Sequence, residues 1–332
     1  MISRGVFQST LEEICGPLRA YFEDPEISEI LINGAEPVYV EIAGKLHQTT
    51  CALQESSLMA LLRVIAQFAG RQLDQDSPIL EARLPDGSRV EAVLPPIVAA
   101  GPCIAIRRHK SQALNLAQLV ELDSLTQESL GFLAAAVKSK RNILVSGGTG
   151  SGKTSLLNCL ASLIEEDERV VVLEDARELQ LQQSHVVSLE ARAADTRGRG
   201  RVTLFDLFRA SLRLRPDRIV IGEIRGEEAL DLIQAMTSGH GGCMSTLHAS
   251  SPLDALRRLE TLALMRGLQL PLAALRQQVA SAVHVIVQVE RLPGGIRGVT
   301  QIVEVTGFVA EGAYNTQARF ERPERGRLEP VG

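Results

Sequence analysis

The stretch SGGTGSGKTS, residues 146–155, joins glycines, a lysine and hydroxyls directly behind the apolar run NILV, residues 142–145. Glycines at this spacing let backbone N–H groups turn inward on phosphate oxygens, and a helix that begins here attracts anions at its N-terminus. The pattern predicts a nucleotide phosphate loop in which Lys153 reaches the β and γ phosphates and Thr154 offers its hydroxyl to Mg²⁺. A glycine-rich turn with a surface lysine is the simpler alternative. The predicted nucleotide-binding residues of the loop are Gly147, Gly148, Thr149, Gly150, Ser151, Gly152, Lys153, Thr154 and Ser155.

Acidic side chains follow two further apolar runs. RIVIGE ends at Gly222 and Glu223, where phosphate-loop proteins usually carry an acid at the C-terminal end of a strand. Because Gly222 replaces the common Asp, Glu223 is predicted to be the acid nearest the Mg²⁺ and the attacking water. VVLED ends at Glu174 and Asp175, and a carboxylate there would orient water or complete the metal's shell. A solvent-facing Glu223 and a helix-capping Asp175 are the simpler alternatives, and the general base stays open between Glu174 and Glu223.

A histidine and two arginines complete the candidate set. His248 ends the run CMSTLH, beside the tips of the other predicted strands, and is interpreted as a sensor of the γ phosphate; the alternative is a satisfied structural imidazole. Arg209 and Arg213 stand four residues apart on the predicted helix VTLFDLFRASLRLRPD, on one face. They are either arginine fingers for the transition-state phosphate or a solvated helix face.

A parallel sheet with helices on both faces would bring these side chains to one edge. From Asn142 onward, short apolar runs alternate with helical segments, which is typical of such an α/β domain. VHVIVQVERLPGGIRGVTQIVEV then predicts an antiparallel hairpin around Pro293, Gly294 and Gly295. The polar, Arg-rich tail after Ala310 is predicted to be loosely ordered. The predicted parallel strands are NILVS, RVVVLED, VVSLE, RIVIGE and CMSTLHA.

The first hundred residues predict a smaller α+β domain. EILING and VYVEIAG indicate strands, and the periodic run from Ser56 to Gly70 indicates a helix. The turn tripeptide PDG, residues 85–87, lies between two alternating runs and predicts a hairpin, after which CIAIRRHK forms a last strand with a basic end. The polar segment from Ser111 to Leu122 is predicted to be a linker, so the domains are expected at residues 1–110 and 123–332.

Bulk properties limit the function classes. The chain has 332 residues, enough for two domains, with 45% apolar and 23% charged residues. Its net charge is -5, only 3% of residues are aromatic and Trp is absent, so direct binding to nucleic acid is not expected. The five cysteines are scattered without a CxxC pair, which favours a reducing cytoplasm. No signal peptide or transmembrane segment is predicted.

The order of the motifs resembles that of bacterial type II/type IV secretion and pilus-assembly ATPases. GGTGSGKT looks like their Walker A loop, VVLEDARELQL their acidic Asp box, RIVIGE an atypical Walker B ending in Gly-Glu, and GHGGCMSTLHA their His box. ISEILINGAEPVYVEIAGKL and ILEARLPDGSRVEAVLPPIVAAGPCIAIRRH are similar to the N-terminal domain of the branch serving Tad (Flp-type) pili and conjugative type IV secretion. The resemblance covers about Ile27 to Val305.

This resemblance implies a RecA-like P-loop domain behind a smaller PAS-like α+β domain. It implies an ATPase that uses ATP and Mg²⁺, forms a homo-hexamer in the cytoplasm, and drives an inner-membrane platform protein through domain motion. Two departures from the family pattern matter: the extended N-terminal region of many Tad ATPases is expected to be largely missing, and the four-cysteine metal insertion of many type II ATPases is lacking. The residues matched to functional positions of the family are Arg107, Arg108, Lys153, Thr154, Glu174, Arg209, Arg213, Glu223 and His248.

Other classes of protein fit the sequence less well. A nucleoside kinase would need an acceptor pocket and an arginine-rich lid, and a GTPase would need an NKxD motif, which does not follow the loop. A RecA-like helicase or recombinase is the stronger rival, but the acidic balance disfavours it. A nucleotide-free assembly scaffold is the non-enzyme alternative. The cargo stays open between pilin assembly, retraction, adhesion and DNA transfer.

Overall fold

The computed structural model describes residues 16–42, 44–108, 114–194, 198–267, 270–292, 296–309, 313–323 and 326–331. The chain divides into an N-terminal unit, Met1–Gln112 with Ala194–Arg201, and a C-terminal unit, Ala113–Ala193 with Val202–Gly332. The predicted linker, residues 111–122, contains the helix Leu116–Glu121. The domain limits expected from the sequence stay a prediction.

The N-terminal unit is built on an antiparallel sheet of six strands in the order β3-β2-β1-β6-β5-β4. One long helix packs its apolar face on the sheet, with Leu58, Leu61, Leu62 and Ile65 buried. Its described elements are α1 (Arg19–Glu23), β1 (Ile27–Asn33), β2 (Tyr39–Ile42), β3 (Lys45–Gln48), α2 (Glu55–Ala69), β4 (Ile79–Arg83), β5 (Arg89–Val93) and β6 (Cys103–Arg107).

Most of these elements follow from local sequence. Helix α2 ends where Gly70 adopts a left-handed conformation with φ of 65°. Asp86 accepts a hydrogen bond from the backbone N–H of Ser88, and Gly87 has a φ of 92°, so the turn predicted between β4 and β5 is confirmed. Strand β3 was not predicted, because all of its residues are exposed and apolar alternation is absent from KLHQ.

The C-terminal unit contains a sheet of nine strands in the order β15-β14-β13-β12-β7-β11-β10-β8-β9. The six strands from β12 to β9 in this order are parallel, and β13, β14 and β15 continue the sheet antiparallel. Its described elements are α3 (Leu116–Glu121), α4 (Gln127–Lys138), β7 (Ile143–Gly147), α5 (Lys153–Ala161), β8 (Val170–Glu174), β9 (Val186–Glu190), α6 (Leu204–Ser211), β10 (Arg218–Ile221), α7 (Glu228–Thr237), β11 (Met244–His248), α8 (Pro252–Leu264), α9 (Leu272–Ala282), β12 (Val285–Arg291), β13 (Arg297–Phe308), β14 (Tyr314–Glu321) and β15 (Glu329–Pro330).

Helices cover both faces of the parallel part of this sheet. Strands β7 and β8 are buried along their whole length, as their continuous apolar runs predict. Leu144 points into one apolar cluster, whereas Ile143 and Val145 point into another on the opposite face. The α/β class predicted from the sequence is therefore confirmed. Among the described helices, none is both long enough and apolar enough to cross a membrane.

The end of the chain differs from the prediction. The tail after Ala310 was predicted to be loosely ordered, and this is wrong for β14, which pairs with β13, and for β15, which pairs with β14. Tyr314 and Phe320 are buried, so two aromatic side chains pack β14 onto the core. The polar composition of the segment gave no sequence signal for this strand. Strands β12 and β13 form the predicted antiparallel pair. The turn predicted at residues 293–295 lies outside the described residues.

Candidate active site

The carboxyl ends of four parallel strands meet at one edge of the nine-stranded sheet. Strand β7 ends at Gly147, β8 at Glu174 and β11 at His248, while Glu223 follows β10 by two residues. Ligands of open α/β sheets bind at this edge, because the loops after the strands leave a crevice there. Residues that are up to about a hundred positions apart in sequence therefore lie at one edge of the sheet.

The glycine-rich loop connects β7 to α5 in little space. A Cβ atom on Gly147 would lie 2.2 Å from the carbonyl oxygen of Val289 on β12, so only glycine fits there. Gly152, the residue before α5, has a φ of 99°. Ser151 is buried, and its Oγ donates to the carbonyl oxygen of Gly148 at 3.0 Å. The loop also includes the exposed Thr149, the half-buried Gly150, and Thr154 and Ser155 in the first turn of α5.

Lys153 is folded back on its own loop. It is only 7% exposed, and its Nζ donates to the carbonyl oxygens of Gly147 at 3.1 Å and Gly148 at 2.8 Å. The same Nζ lies 3.3 Å from Nδ1 of His248. The lysine that begins α5 and the histidine that ends β11 are therefore in direct contact.

Glu223 continues this contact across the edge. Its Oε1 lies 2.8 Å from Nε2 of His248, and its Oε2 accepts a hydrogen bond of 2.6 Å from Arg225. Arg225 also pairs with Asp175 at 3.4 Å. Burial lowers the pKa of His248 and Lys153 lowers it further, whereas Glu223 raises it, so the imidazole is held below its usual pKa. Lys153, His248, Glu223, Arg225 and Asp175 form one chain of contacts, which we call the edge chain.

Glu174 stands apart from the edge chain in its environment. It is 3% exposed, and its Oε1 accepts hydrogen bonds of 2.9 Å from the backbone N–H groups of Glu178 and Leu179. Burial raises its pKa to about 7, against the lowering effect of those two donors. A Cβ on Gly222 would lie 3.0 Å from Cγ of Glu174. Gly222 thus stands where an Asp is common because Glu174 occupies the space.

Comparisons with known proteins identify the family of the chain. The family model described as Type II/IV secretion system protein matches residues 12–306, which is most of the chain. The chain belongs to this family. The family resemblance inferred from the motifs is therefore confirmed, and so is the enzyme class that this family implies.

Two relatives illustrate the range of the family. The conjugal transfer protein TrbB of Rhizobium radiobacter is 34% identical over 290 residues, which cover 86% of each chain. The type IV secretion system protein PtlH of Bordetella pertussis is 35% identical over 304 residues, covering 83% of this chain and 89% of PtlH.

Two solved structures share the fold. The pilus retraction motor PilT with bound ADP has a TM-score of 0.60 at 19% identity, covering 93% of this chain and 82% of PilT. The Legionella pneumophila ATPase DotB has a TM-score of 0.59 at 21% identity, covering 85% of this chain and 78% of DotB. The RecA-like P-loop fold predicted from the sequence is confirmed.

In this secretion ATPase, Arg209 and Arg213 are not placed as predicted. Helix α6 ends at Ser211, so Arg213 lies in the following turn, and the prediction that Arg209 and Arg213 share one helix face is wrong. A short helix results because the backbone N–H of Arg213 bonds to the carbonyl of Ala210, in a tighter turn. Both side chains are exposed, and the guanidinium of Arg209 lies 5.6 Å from the ring centroid of Phe205. Their catalytic role stays a prediction.

Arg107 and Arg108 belong to the N-terminal unit and differ in their surroundings. Arg107 is the exposed last residue of β6. Arg108 is half-buried, and its Nη1 donates to the carbonyl oxygens of Tyr21 and Asp24 in the same unit. The guanidinium of Arg108 therefore has a structural task in its own unit, and nucleotide contact by either arginine stays a prediction.

Two residues of the site escaped sequence reasoning. Arg225 holds Glu223 in the edge chain, and its position directly after the Gly-Glu pair was the available signal. Gln288 is 1% exposed on β12, and its Oε1 accepts a hydrogen bond of 2.5 Å from Ser146, next to the phosphate loop. Its Nε2 lies 3.4 Å from the carbonyl of Ala249, next to His248. A polar residue inside the otherwise apolar run VIVQV was the signal for Gln288.

Proposed function

We propose that this protein is a Mg²⁺-dependent ATPase that works as a homo-hexamer and powers a type IV secretion or pilus-assembly machine. The edge chain carries the proposal, because it joins the loop lysine, the histidine and the strand-end acid in one row of contacts. Such a row suits a phosphate chain that lies along the edge, with cationic donors and a carboxylate at its reacting end.

The roles of the residues follow from their contacts. Lys153 Nζ would exchange the carbonyls of Gly147 and Gly148 for β and γ phosphate oxygens, which are stronger, charge-assisted acceptors. Glu223 would orient the attacking water, and His248, which contacts both Lys153 and Glu223, would sense the γ phosphate. Glu174, with a pKa of about 7, is the second candidate for the base, since a base works best near the operating pH.

The donor atoms at this edge fit a magnesium ion. Mg²⁺ prefers hard oxygen ligands and is commonly held by one or two carboxylates together with substrate phosphates. Thr154 offers a hydroxyl in the first turn of α5, and Glu223 offers a carboxylate at the next strand tip but one. We propose that these two residues hold the ion, directly or through water. When bound, Mg²⁺ neutralises charge on the phosphate oxygens.

A pair of variants tests this assignment. Lys153→Ala should abolish turnover and weaken ATP binding, whereas Glu223→Gln should retain ATP but lose at least ~10² in rate, since the carboxylate that would orient the attacking water is removed. ATP affinity and steady-state phosphate release are measured on the same preparations. Undiminished hydrolysis by Glu223→Gln would remove that residue from the mechanism.

The proposed hexamer would allow catalysis to be shared between subunits. Arg209 and Arg213 are exposed, so we propose that they complete the site of a neighbouring subunit, where an arginine supplied in trans is worth ~10³–10⁵ in rate in GTPases. An Arg213→Ala ring and a Lys153→Ala ring should both be inactive. Rings reassembled from the two variants should regain part of the activity, because some interfaces join an intact loop to an intact arginine. Mixed rings, verified by mass, that stay inactive would contradict action in trans.

The predicted domain closure gives different expectations for Arg107 and Arg108 of the N-terminal unit. We propose that Arg107 and Arg108 approach the nucleotide phosphates when the domains close, which would couple ATP to domain angle. Arg107→Ala should then weaken ATP binding without loss of stability, while Arg108→Ala should also lower the melting temperature, because it leaves the carbonyls of Tyr21 and Asp24 without this donor. Wild-type affinity and turnover in both variants would refute closure through these residues.

The most detailed part of the proposal is the identity of the machine that this protein serves. Relatives named for conjugal transfer and for type IV secretion support a secretion machine. We propose that the protein works at the cytoplasmic face of the inner membrane, which it reaches through a platform protein. A Tad (Flp-type) pilus is the second candidate, because the N-terminal motifs resemble that branch as well. Adjacent genes for a relaxase would favour DNA transfer, and adjacent prepilin genes would favour the pilus.

A further inference from the structure

The strand that carries the phosphate loop has a different neighbour on each side. Strand β11, which ends at His248, pairs with β7 on one side, and β10, which precedes Glu223, pairs with β11. Strand β12 pairs with β7 on the other side, with Val289 opposite Gly147. The groups assigned to the γ phosphate thus all lie on the β11 side of the loop. A nucleotide with its γ phosphate on the β11 side would extend its other end toward β12.

Two arginines stand on this opposite side. Arg291 ends β12 and Arg297 begins β13, and the two are direct cross-strand partners. A Cβ on Gly150 would lie 3.4 Å from Nη2 of Arg291 and 3.8 Å from its Cζ. A Cβ on Gly152 would lie 3.4 Å from Cδ of Arg297 and 3.6 Å from its Cβ. The guanidinium of Arg291 and the aliphatic stem of Arg297 therefore border the loop itself.

The chemistry of these side chains suits the adenosine end of a nucleotide. Both arginines are exposed, so a ligand on the loop has access to them. A guanidinium donates to phosphate oxygens in a planar fork and also stacks on aromatic faces. A guanidinium beside the loop can therefore contact both a phosphate oxygen and the face of a base.

We propose that Arg291 and Arg297 form a subsite for the α phosphate and the base of the nucleotide. The guanidinium of Arg291 contacts the α phosphate and stacks on the base. The aliphatic stem of Arg297 packs on Gly152, and its guanidinium adds positive charge beside the phosphates. The inference rests on the proposed ATPase function and adds two residues that no sequence motif indicated. It also assigns a task to the paired ends of β12 and β13.

Binding measurements with three probes test the subsite. ATP, ADP and inorganic tripolyphosphate are titrated against the wild type, Arg291→Ala, Arg297→Met and Arg297→Ala. Because the α phosphate and the base are common to ATP and ADP, Arg291→Ala should weaken both about tenfold. Tripolyphosphate, which has no base, should lose less than threefold. Arg297→Met keeps the stem and should lose less affinity than Arg297→Ala.

Controls separate this inference from the function on which it rests. Lys138→Ala removes one exposed cation from the end of α4 and should change no affinity, which excludes a general charge effect. Lys153→Ala should weaken all three probes; if the wild type binds none of them, the proposed function fails, not the subsite alone. Unchanged ATP and ADP affinities in Arg291→Ala overturn the subsite, and so does a loss confined to ATP, which would mean contact with the γ phosphate. An equal loss for tripolyphosphate overturns it too. Melting temperatures verify that each variant is folded.

Discussion

The two edges of the nine-stranded sheet both gather charged side chains, but they hold them differently. At the amino edge, Arg218 begins β10 and is 1% exposed, and it donates to Glu168 through Nε at 2.6 Å and Nη2 at 2.9 Å. Lys140 adds a contact of 2.8 Å to the same carboxylate. At the carboxyl edge, Lys153 donates to loop carbonyls and contacts His248.

The two edges differ in whether a ligand can replace the present hydrogen-bond partners of the charged side chains. Arg218 is enclosed, since a Cβ on Gly242 would lie 2.2 Å from its Nη1, and the hydrogen bonds from Arg218 lower the pKa of Glu168 to about 2. The carbonyl partners of Lys153 are weaker acceptors than a phosphate, and burial raises the pKa of Glu174 to about 7. The same kinds of residue therefore stabilise the fold at one edge and are available for chemistry at the other.

Replacing one glutamate by glutamine at each edge should distinguish the edge that stabilises the fold from the edge that carries the chemistry. Glu168→Gln leaves the buried charge of Arg218 uncompensated and should cost about 3–5 kcal/mol in the free energy of unfolding. Glu223→Gln should change stability by less than about 1 kcal/mol but lose at least ~10² in turnover. Urea unfolding and ATPase rates are measured for both.

The exposed Glu165 is the matched control for this comparison. It is paired with Lys138 at 3.6 Å near the surface, and Glu165→Gln should change stability by less than about 1 kcal/mol. A large loss of stability in Glu223→Gln, with little in Glu168→Gln, would reverse the division between the edges.

The pH dependence of stability should reveal the buried Glu174. Its pKa is raised from 4.5 to about 7, so the folded state keeps a proton that the unfolded chain releases. Stability from this group is fully present below about pH 4.5 and is lost as the pH rises through about 7. Glu174→Gln removes the titration, so its stability relative to the wild type should rise between about pH 5 and pH 8, by about 3 kcal/mol at most. A difference that stays flat over this range would refute the raised pKa.

The polar contact beside the loop should behave as a pair. Gln288→Leu leaves the buried hydroxyl of Ser146 without this partner and should cost about 1–3 kcal/mol in unfolding free energy. Adding Ser146→Ala should recover part of that loss, because both partners are then apolar. The four proteins of this double-mutant cycle are compared by urea unfolding. Strictly additive losses would show that the contact contributes no coupling energy.

The smallest expected effect concerns the glycine in front of Glu223. Gly222→Ala adds a methyl group 3.0 Å from Cγ and 3.4 Å from Oε1 of Glu174, so the carboxyl must shift and turnover should fall about tenfold. Gly131→Ala is the control, because a Cβ there meets nothing within 4 Å on the exposed face of α4. It should leave turnover unchanged and stabilise the helix by about 0.5–1 kcal/mol. Equal turnover in both variants would mean that the position of Glu174 is unimportant for catalysis.

Local sequence signals determined the parallel sheet and the edge at which its site lies. Continuous apolar runs such as VVVL specify strands buried on both faces, and the glycine-rich loop pattern is typical of a connection from a strand to a helix N-terminus. Lys153, Glu174, Glu223 and His248 were therefore predicted from the sequence as neighbours at strand tips. Hydrophobic periodicity did not predict β14, because this strand has only two buried aromatic residues in a polar segment.

Tertiary structure alone decided how those residues differ from one another. Glu174 and Glu223 are equivalent in sequence, as acids at strand ends, but packing buries one and leaves the other paired with Arg225 and His248. Pairing of β12 with β7 brings Gln288 next to Ser146 and Arg291 next to the loop, across about 140 residues of sequence. Burial and long-range strand pairing depend on the whole chain, so no local pattern could have specified them.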